Sequence, residues 1–186
     1  MSFRSGPGLY DVRASELEEP KDMSSHDAGT GAAAAEPELL SLDPATTAVI
    51  RGTVPAAGLR DFFDSTFRTL PRVLGAQGVS VRSPAFALFR GVPTDTFDLE
   101  AGFVTDQPVR PEDGVVAGSL PGGRAVRLTH FGSFDGLGSS WERLDAWLRA
   151  QGLAGGPQRW EVYVTQPSPA MDPRDLRTDL TWPLAD

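Results

Sequence analysis

Arg159-Trp160-Glu161-Val162-Tyr163-Val164-Thr165 alternates as a β-strand does. With a side-chain period of two, Trp160, Val162 and Val164 point one way, and Glu161, Tyr163 and Thr165 point the other. One face is therefore apolar, and the other sets a carboxylate beside a phenol. Glu is depleted from strands, so an acid in mid-strand needs a reason. Either the strand lies at an edge with its polar face in water, or Glu161 is the polar floor of a small-molecule pocket. The strand alone leaves both open.

Working outward, the flanking segments read as helices and strands in a repeated order. Thr46 to Val54 is rich in β-branched residues and predicts a strand, ended by Pro55. Leu59, Phe62, Phe63, Phe67, Leu70, Val73 and Leu74 recur at three- and four-residue spacings, one apolar face of a long helix. Pro71 lies inside it and predicts a kink or a split last turn. Ala85 to Phe89 and Thr96 to Val104 read as strands, with Gly91 and Pro93 marking the turn between them. In the second of these, Phe97, Leu99, Ala101 and Phe103 share one face, and Asp98 and Glu100 the other. Gly114 to Leu120 and Arg124 to Phe131 give two more strands. Ser133 is a suitable N-cap for a second helix, whose stripe is Phe134, Leu137, Trp141, Leu144 and Leu148. The opening strand follows, then a Pro-punctuated loop from Pro167 to Pro173 and a last strand, Arg177 to Trp182.

The order strand, helix, strand, strand thus occurs twice. Both helices end in Gln-Gly (Gln77-Gly78 and Gln151-Gly152), and a proline, Pro84 or Pro157, introduces the next strand. This is the mark of a duplication. The expected fold is α+β: a duplicated β-α-β-β, with one curved antiparallel sheet, two long helices on one face and a ligand cleft on the other. In that arrangement the helices cover Phe97, Leu99 and Phe103 in one half, and Val162 and Val164 in the other. The helix-free face then carries Glu161, Tyr163, Asp98 and Glu100, made concave by the sheet's twist.

Composition narrows the function. The 186 residues suit one domain with an appendage. Residues 1–38, rich in Ser, Gly, Ala and acids, read as a flexible, low-complexity tail, and 39–186 as the folded domain. A net charge of -8 argues against a nucleic-acid surface and suits cationic ligands. No cysteine means no disulfide, thiolate nucleophile or cysteine metal site. No apolar run reaches the ~20 residues of a membrane span, and no basic-then-apolar leader is visible. A cytoplasmic protein is expected, from a GC-rich bacterial genome given one lysine (Lys21) among many arginines.

Three motifs resemble the GyrI-like family, which also supplies effector-binding domains of AraC- and MerR-type regulators. His130-Phe131-Gly132-Ser133-Phe134 is similar to its His-x-Gly-Pro-Tyr helix entry. Gly156-Pro157 followed by Trp160-Glu161-Val162-Tyr163 is similar to its Pro…Glu-x-Tyr strand, and Leu180-Thr181-Trp182-Pro183-Leu184 to its terminal Pro-Leu strand. The likeness covers about residues 39 to 186. It implies the duplicated fold, a cleft between the halves, and a central acid for cationic aromatic ligands, here Glu161. In some stand-alone members that acid is implicated in hydrolysing cyclopropane-bearing, DNA-alkylating natural products, and one member inhibits DNA gyrase. Ser133 and Phe134 depart from the motif's Pro and Tyr, so no role for that tyrosine hydroxyl carries over. No helix-turn-helix pattern precedes the domain, so a DNA-reading role is not expected.

The candidate ligand-binding residues are Glu161, Tyr163, Trp182, Phe89 and Glu100. If the protein is an enzyme, Glu161 and Tyr163 are the catalytic candidates. In an apolar cleft Glu161 meets a cation with little screening, and burial raises its pKa. Aromatic walls attract planar cations. Alternatively, Arg127 or Arg159 pairs with Glu161, and the aromatics are core. His130 has no second histidine nearby and reads as structural, and Trp141 as core. Ser133, Ser139 and Ser140 lack a nucleophile-elbow context, and Gly122-Gly123 is too short for a phosphate loop. No metal site or cofactor is expected, and the partners are aromatic or cationic small molecules, not nucleic acid or membrane; a monomer is expected. The leading expectation is multidrug-type binding, sequestration or resistance. Alternatives are a hydrolase of cyclopropanoid compounds and a gyrase-inhibiting interaction protein.

Overall fold

A computed structural model describes residues 35–91, 94–166, 168 and 170–185. Residues 1–34 of the segment read as a tail, Pro93 of the turn, and Pro167 and Pro169 of the late loop lie outside the described residues.

The chain runs β1 (Glu38–Leu42), β2 (Ala45–Pro55), α1 (Leu59–Gln77), β3 (Phe86–Arg90), β4 (Thr96–Val104), β5 (Val116–Leu120), β6 (Gly123–Phe131), α2 (Leu137–Ala150), β7 (Gln158–Tyr163) and β8 (Arg177–Pro183). All eight strands join one antiparallel sheet in the order β1-β6-β8-β7-β3-β4-β2-β5. Each repeat contributes three adjacent strands, β2-β4-β3 and β6-β8-β7, and the repeats join where β3 pairs β7, with Leu88 opposite Trp160. The expected α+β duplication is the observed one.

The repeats superpose in sequence as well. The shift that carries Gln77-Gly78 onto Gln151-Gly152 carries Phe67 onto Trp141, Leu70 onto Leu144 and Leu74 onto Leu148. Leu70 and Leu74 are buried on α1, and Leu144 and Leu148 on α2. α1 continues through Pro71 without a break and ends on Gly78 in the left-handed conformation. The Ser133 side chain caps nothing; a 3-10 turn, Phe134–Gly136, intervenes before α2.

Strand β1 falls on Glu38-Leu39-Leu40-Ser41-Leu42, where no strand was expected, and it curls the sheet. Two residues separate β1 from β2, yet the strands hold the first and seventh positions of the order. The sheet must bend back on itself to allow that. Leu42 of β1 and Ala45, Val49 and Leu120 of β2 and β5, from the two ends of the order, accordingly pack with Leu88 and Trp160 from the middle strands. The helix-free face is thus the inside of a half-barrel, filled by a core of its own.

The helices lie on the outer face, where α1 packs over Leu99, Ala101 and Phe103, and α2 over Val126, Leu128 and Leu180. Strand register then fixes β7. Leu99 lies opposite Phe89, Ala101 opposite Ala87, and Ala87 opposite Glu161. Glu161 and Tyr163 therefore share the face that carries the helices. The expectation that they lie on the helix-free face, with the cleft, is corrected: Trp160 and Val162 point into the half-barrel instead. Asp98 and Glu100 do lie on the helix-free side, as expected from β4.

Candidate functional site

A cleft of about 750 Å³ opens between the N-terminal part of α1 and the length of α2, over β7 and β3. Strand β7 supplies Arg159, Glu161 and Tyr163, all on one face at every second position. Leu59 and Phe63 come from α1, Phe89 and Phe97 from β3 and β4, Trp141 from α2, and Trp182 from β8.

Glu161 lies at the floor, only 7% exposed. Its Oε1 accepts the Trp141 indole N–H at 2.9 Å, and its Oε2 accepts the Tyr163 hydroxyl at 3.0 Å. Burial pushes its pKa above the usual carboxylate value, opposed by these two hydrogen bonds and by the charges of Arg159 and His130. The two neutral donors do not fully offset the loss of water, and a cation close by favours the carboxylate.

The walls hold the acid's partners in place. The Tyr163 ring meets Phe63 edge-on at 6.2 Å and Phe134 at 5.8 Å, clamped from α1 on one side and the 3-10 turn on the other. Phe89 and Phe97 form a further edge-to-face pair at 6.1 Å. Such edge-to-face geometry matches the ring quadrupoles. Trp182 donates its indole N–H to the Gly156 carbonyl at 2.9 Å. A Cβ on Gly155 would fall 2.1 Å from the Trp182 ring, so only glycine lets the loop pass beneath it.

His130 backs the site without lining the cleft. Its Nε2–H donates to the Ser133 carbonyl at 2.9 Å, so in the neutral ring Nδ1 accepts from the Ser140 hydroxyl at 2.8 Å. The ring thus ties β6 to the entry of α2. Among the described residues no cluster of three metal-ligating side chains forms.

Of the residues singled out by sequence, Glu161, Tyr163, Trp182 and Phe89 are brought together in the cleft. Glu100 is not among them. It is 1% exposed on the helix-free face, where Arg51 Nε donates to it at 3.0 Å and Arg90 at 2.6 Å. Two guanidinium groups satisfy it, and the sheet lies between it and Glu161. Trp141 was read as core; it is buried, and it is also the donor to Glu161. A buried indole N–H requires an acceptor, and a buried acid requires a donor, which was the available signal for this pair. Phe63, Phe97 and Phe134 also line the cleft and carried no sequence signal beyond their helix and strand patterns.

The sequence model of the GyrI-like small molecule binding domain matches residues 35–185. The chain belongs to this family. A sequence comparison with curated proteins found no match. Among solved structures, the GyrI-like domain is similar to the C-terminal domain of EcmrR, at 16% identity and a TM-score of 0.69, over 82% of this chain and 98% of that one. It also matches EcmrR in a DNA complex (19% identity, TM-score 0.66, 80% of this chain), spanning only 57% of that chain's length. A hydrolase from Listeria innocua matches at 14% identity and a TM-score of 0.58, over 82% of this chain and 93% of that one. SAV2435 bound to tetraphenylphosphonium matches at 13% identity and a TM-score of 0.56, over 81% and 95%. At these identities the likeness is one of fold. No described helix of the GyrI-like chain is long and apolar enough to cross a membrane.

Proposed function

We propose that the GyrI-like cleft binds aromatic, cationic, drug-like molecules, and that the protein acts by holding them, as a sequestering or resistance factor in the bacterial cytoplasm. The observation that carries this reading is Glu161, a buried carboxyl with two aromatic donors at the floor of an aromatic cleft. A fixed, poorly hydrated acid attracts a cation more strongly than a surface acid does, because little solvent screens the pair. Flat rings around it add apolar contact and cation–π attraction. The tetraphenylphosphonium complex of SAV2435 supports the same ligand chemistry on this fold. Titration of tetraphenylphosphonium into wild type and Glu161→Gln tests it. Hydrogen bonds and contacts to a charge contribute ~1.5–3 kcal/mol, so about a tenfold to hundredfold loss of affinity is expected in the variant. Equal affinities would remove Glu161 from the binding role.

The Glu161–Tyr163 hydrogen bond also favours a second reading, hydrolysis of cyclopropane-bearing alkylating compounds. Glu161 would take a proton from a water attacking the strained ring carbon. As that C–C bond breaks, its electrons would pass to a conjugated oxygen, which Tyr163 would protonate. A solved relative described as a hydrolase keeps this reading in play. Mass spectrometry of such a compound incubated with the protein decides it: a hydrated product formed in many turnovers supports the enzyme, and stoichiometric binding with unchanged compound rejects it.

A further inference from the structure

The binding reading leaves the place of Arg159 unexplained. It lies two positions before Glu161 and on the same face of β7. Its guanidinium carbon sits 4.5 Å from the Trp141 ring centroid and 5.2 Å from that of Trp182. Those two rings meet edge-on at 5.8 Å and form a corner of the cleft. Among the described residues no carboxylate hydrogen-bonds this half-buried guanidinium; Glu161 and Asp145 act on it through space, and burial pulls its pKa below the usual arginine value. A cation in a poorly hydrated corner of two indoles, near a buried acid, is the arrangement expected of a bound ligand's positive charge.

The other repeat shows the same corner without its cation. The shift that relates the helices carries Ala85 onto Arg159 and Phe67 onto Trp141. In the sheet, Ala87 faces Ala101 and Glu161 faces Leu180; two positions on are Phe103 and Trp182. Phe67 and Phe103 meet edge-on at 5.6 Å, nearly the spacing of the two indoles. With Ala85 in place of the arginine, that corner is part of an open cavity of about 540 Å³. The aromatic corner is thus a property of the repeat, and the guanidinium is what one copy adds to it.

We propose that Arg159 is a built-in occupant of the cleft and its specificity-determining residue, holding on Trp141 and Trp182 the place that a ligand's cation takes. This rests on the reading of the cleft as a cation site. A cationic ligand then binds by driving the guanidinium off the ring faces, or else shares the cleft with a like charge. Both lower its affinity. An uncharged aromatic ligand meets neither penalty to the same degree.

The test compares wild type with Arg159→Met, which keeps the unbranched stem and removes the charge. Arg159→Gln is a second variant should the first fold poorly, as checked by thermal melting of the full chain. Tetraphenylphosphonium is the cationic probe and triphenylphosphine oxide the uncharged one, each titrated by calorimetry with tryptophan fluorescence alongside. The expected result is about a tenfold gain in affinity for the cation in the variants, with less than about twofold change for the neutral probe. An unchanged or weaker affinity for the cation overturns the proposal, as does an equal gain for both probes, which would mean only that the cleft became roomier. If neither wild type nor variants bind the cation, the cation reading itself fails, and this inference with it.

Discussion

The two repeats share a backbone plan and differ in chemistry. Where the second has Arg159, Glu161 and Tyr163 on alternate positions, the first has Ala85, Ala87 and Phe89. The helix above them carries Trp141 in the second repeat and Phe67 in the first. One repeat thus holds a cation, an acid and two hydrogen-bond donors; the counterpart side chains in the other are all apolar. Because β3 and β7 are neighbours, Ala87 lies directly opposite Glu161. Two acids there would sit side by side in a dry cleft. Duplication followed by polarisation of one copy gives a single acid at the floor with an apolar wall facing it, a lining suited to a small aromatic cation.

The harshest way to break this asymmetry is to restore symmetry. Ala87 is fully buried, and Ala87→Glu would place a second carboxyl beside Glu161 with no indole above it, since Phe67 stands where Trp141 stands in the other repeat. An unpaired buried charge costs about 3–5 kcal/mol. Urea denaturation should show a loss of that order. A loss below about 1 kcal/mol would mean that the first repeat's apolar face is not needed.

A milder change acts on the second repeat alone. Trp141→Phe makes the helix above Glu161 resemble α1, removing the donor to Oε1. The expected cost is about 1–3 kcal/mol near neutral pH, the range for a hydrogen bond to a charged or buried group. The pH dependence identifies the cause. Glu161 has a raised pKa in the folded protein, so the folded state binds its proton more tightly than the unfolded one does. Stability attributable to this group therefore falls as pH rises from the ordinary value of 4.5 through the raised one, and is level above it. Losing the indole raises the pKa further and extends the fall to higher pH, whereas Glu161→Gln removes this contribution. Denaturation midpoints for the three proteins, from pH 4.5 to neutrality, check the order. If wild type and Glu161→Gln follow parallel curves, the acid is not desolvated.

The same asymmetry shows what the sequence made legible. Periodicity located both helices and seven of the eight described strands, and the repeated order of elements revealed the duplication. Alternation also identified which β7 residues share a face. It could not say which face meets the helices, because that inference assumed one buried side per sheet. Here both sides are buried: Trp160 and Val162 lie inside the half-barrel with Leu42, Ala45 and Leu120. The curl depends on β1, whose short Glu-Leu-Leu-Ser-Leu run borders a polar, acidic segment and has no clean alternation. Missing β1 hid the second core, and the second core is why Glu161 and Tyr163 face the helices. Glu100 misled for the same reason. A strand acid at the right parity looked like a second cleft group, but it lies across the sheet, held by Arg51 and Arg90.

The smallest change makes Tyr163 into its counterpart, Phe89. Tyr163→Phe keeps a ring that Phe63 and Phe134 clamp edge-on, so packing should be preserved. What is lost is the donor to Glu161 Oε2. A single hydrogen bond of this kind contributes about 0.5–1.5 kcal/mol to stability, so a modest shift in the urea midpoint is expected. Affinity for tetraphenylphosphonium should fall only a fewfold, because the acid and the aromatic walls remain. The value of the variant lies in separating the two readings of the site. In a binding protein the hydroxyl merely helps hold the carboxylate, and its loss is as small as the hydrogen bond. In a hydrolase the hydroxyl also delivers a proton, so turnover of a cyclopropane-bearing compound should fall by about 10²–10⁴ while its binding changes little. A drop in affinity and turnover by the same small factor would leave Tyr163 a positioning residue, and the polar repeat a holder of cations.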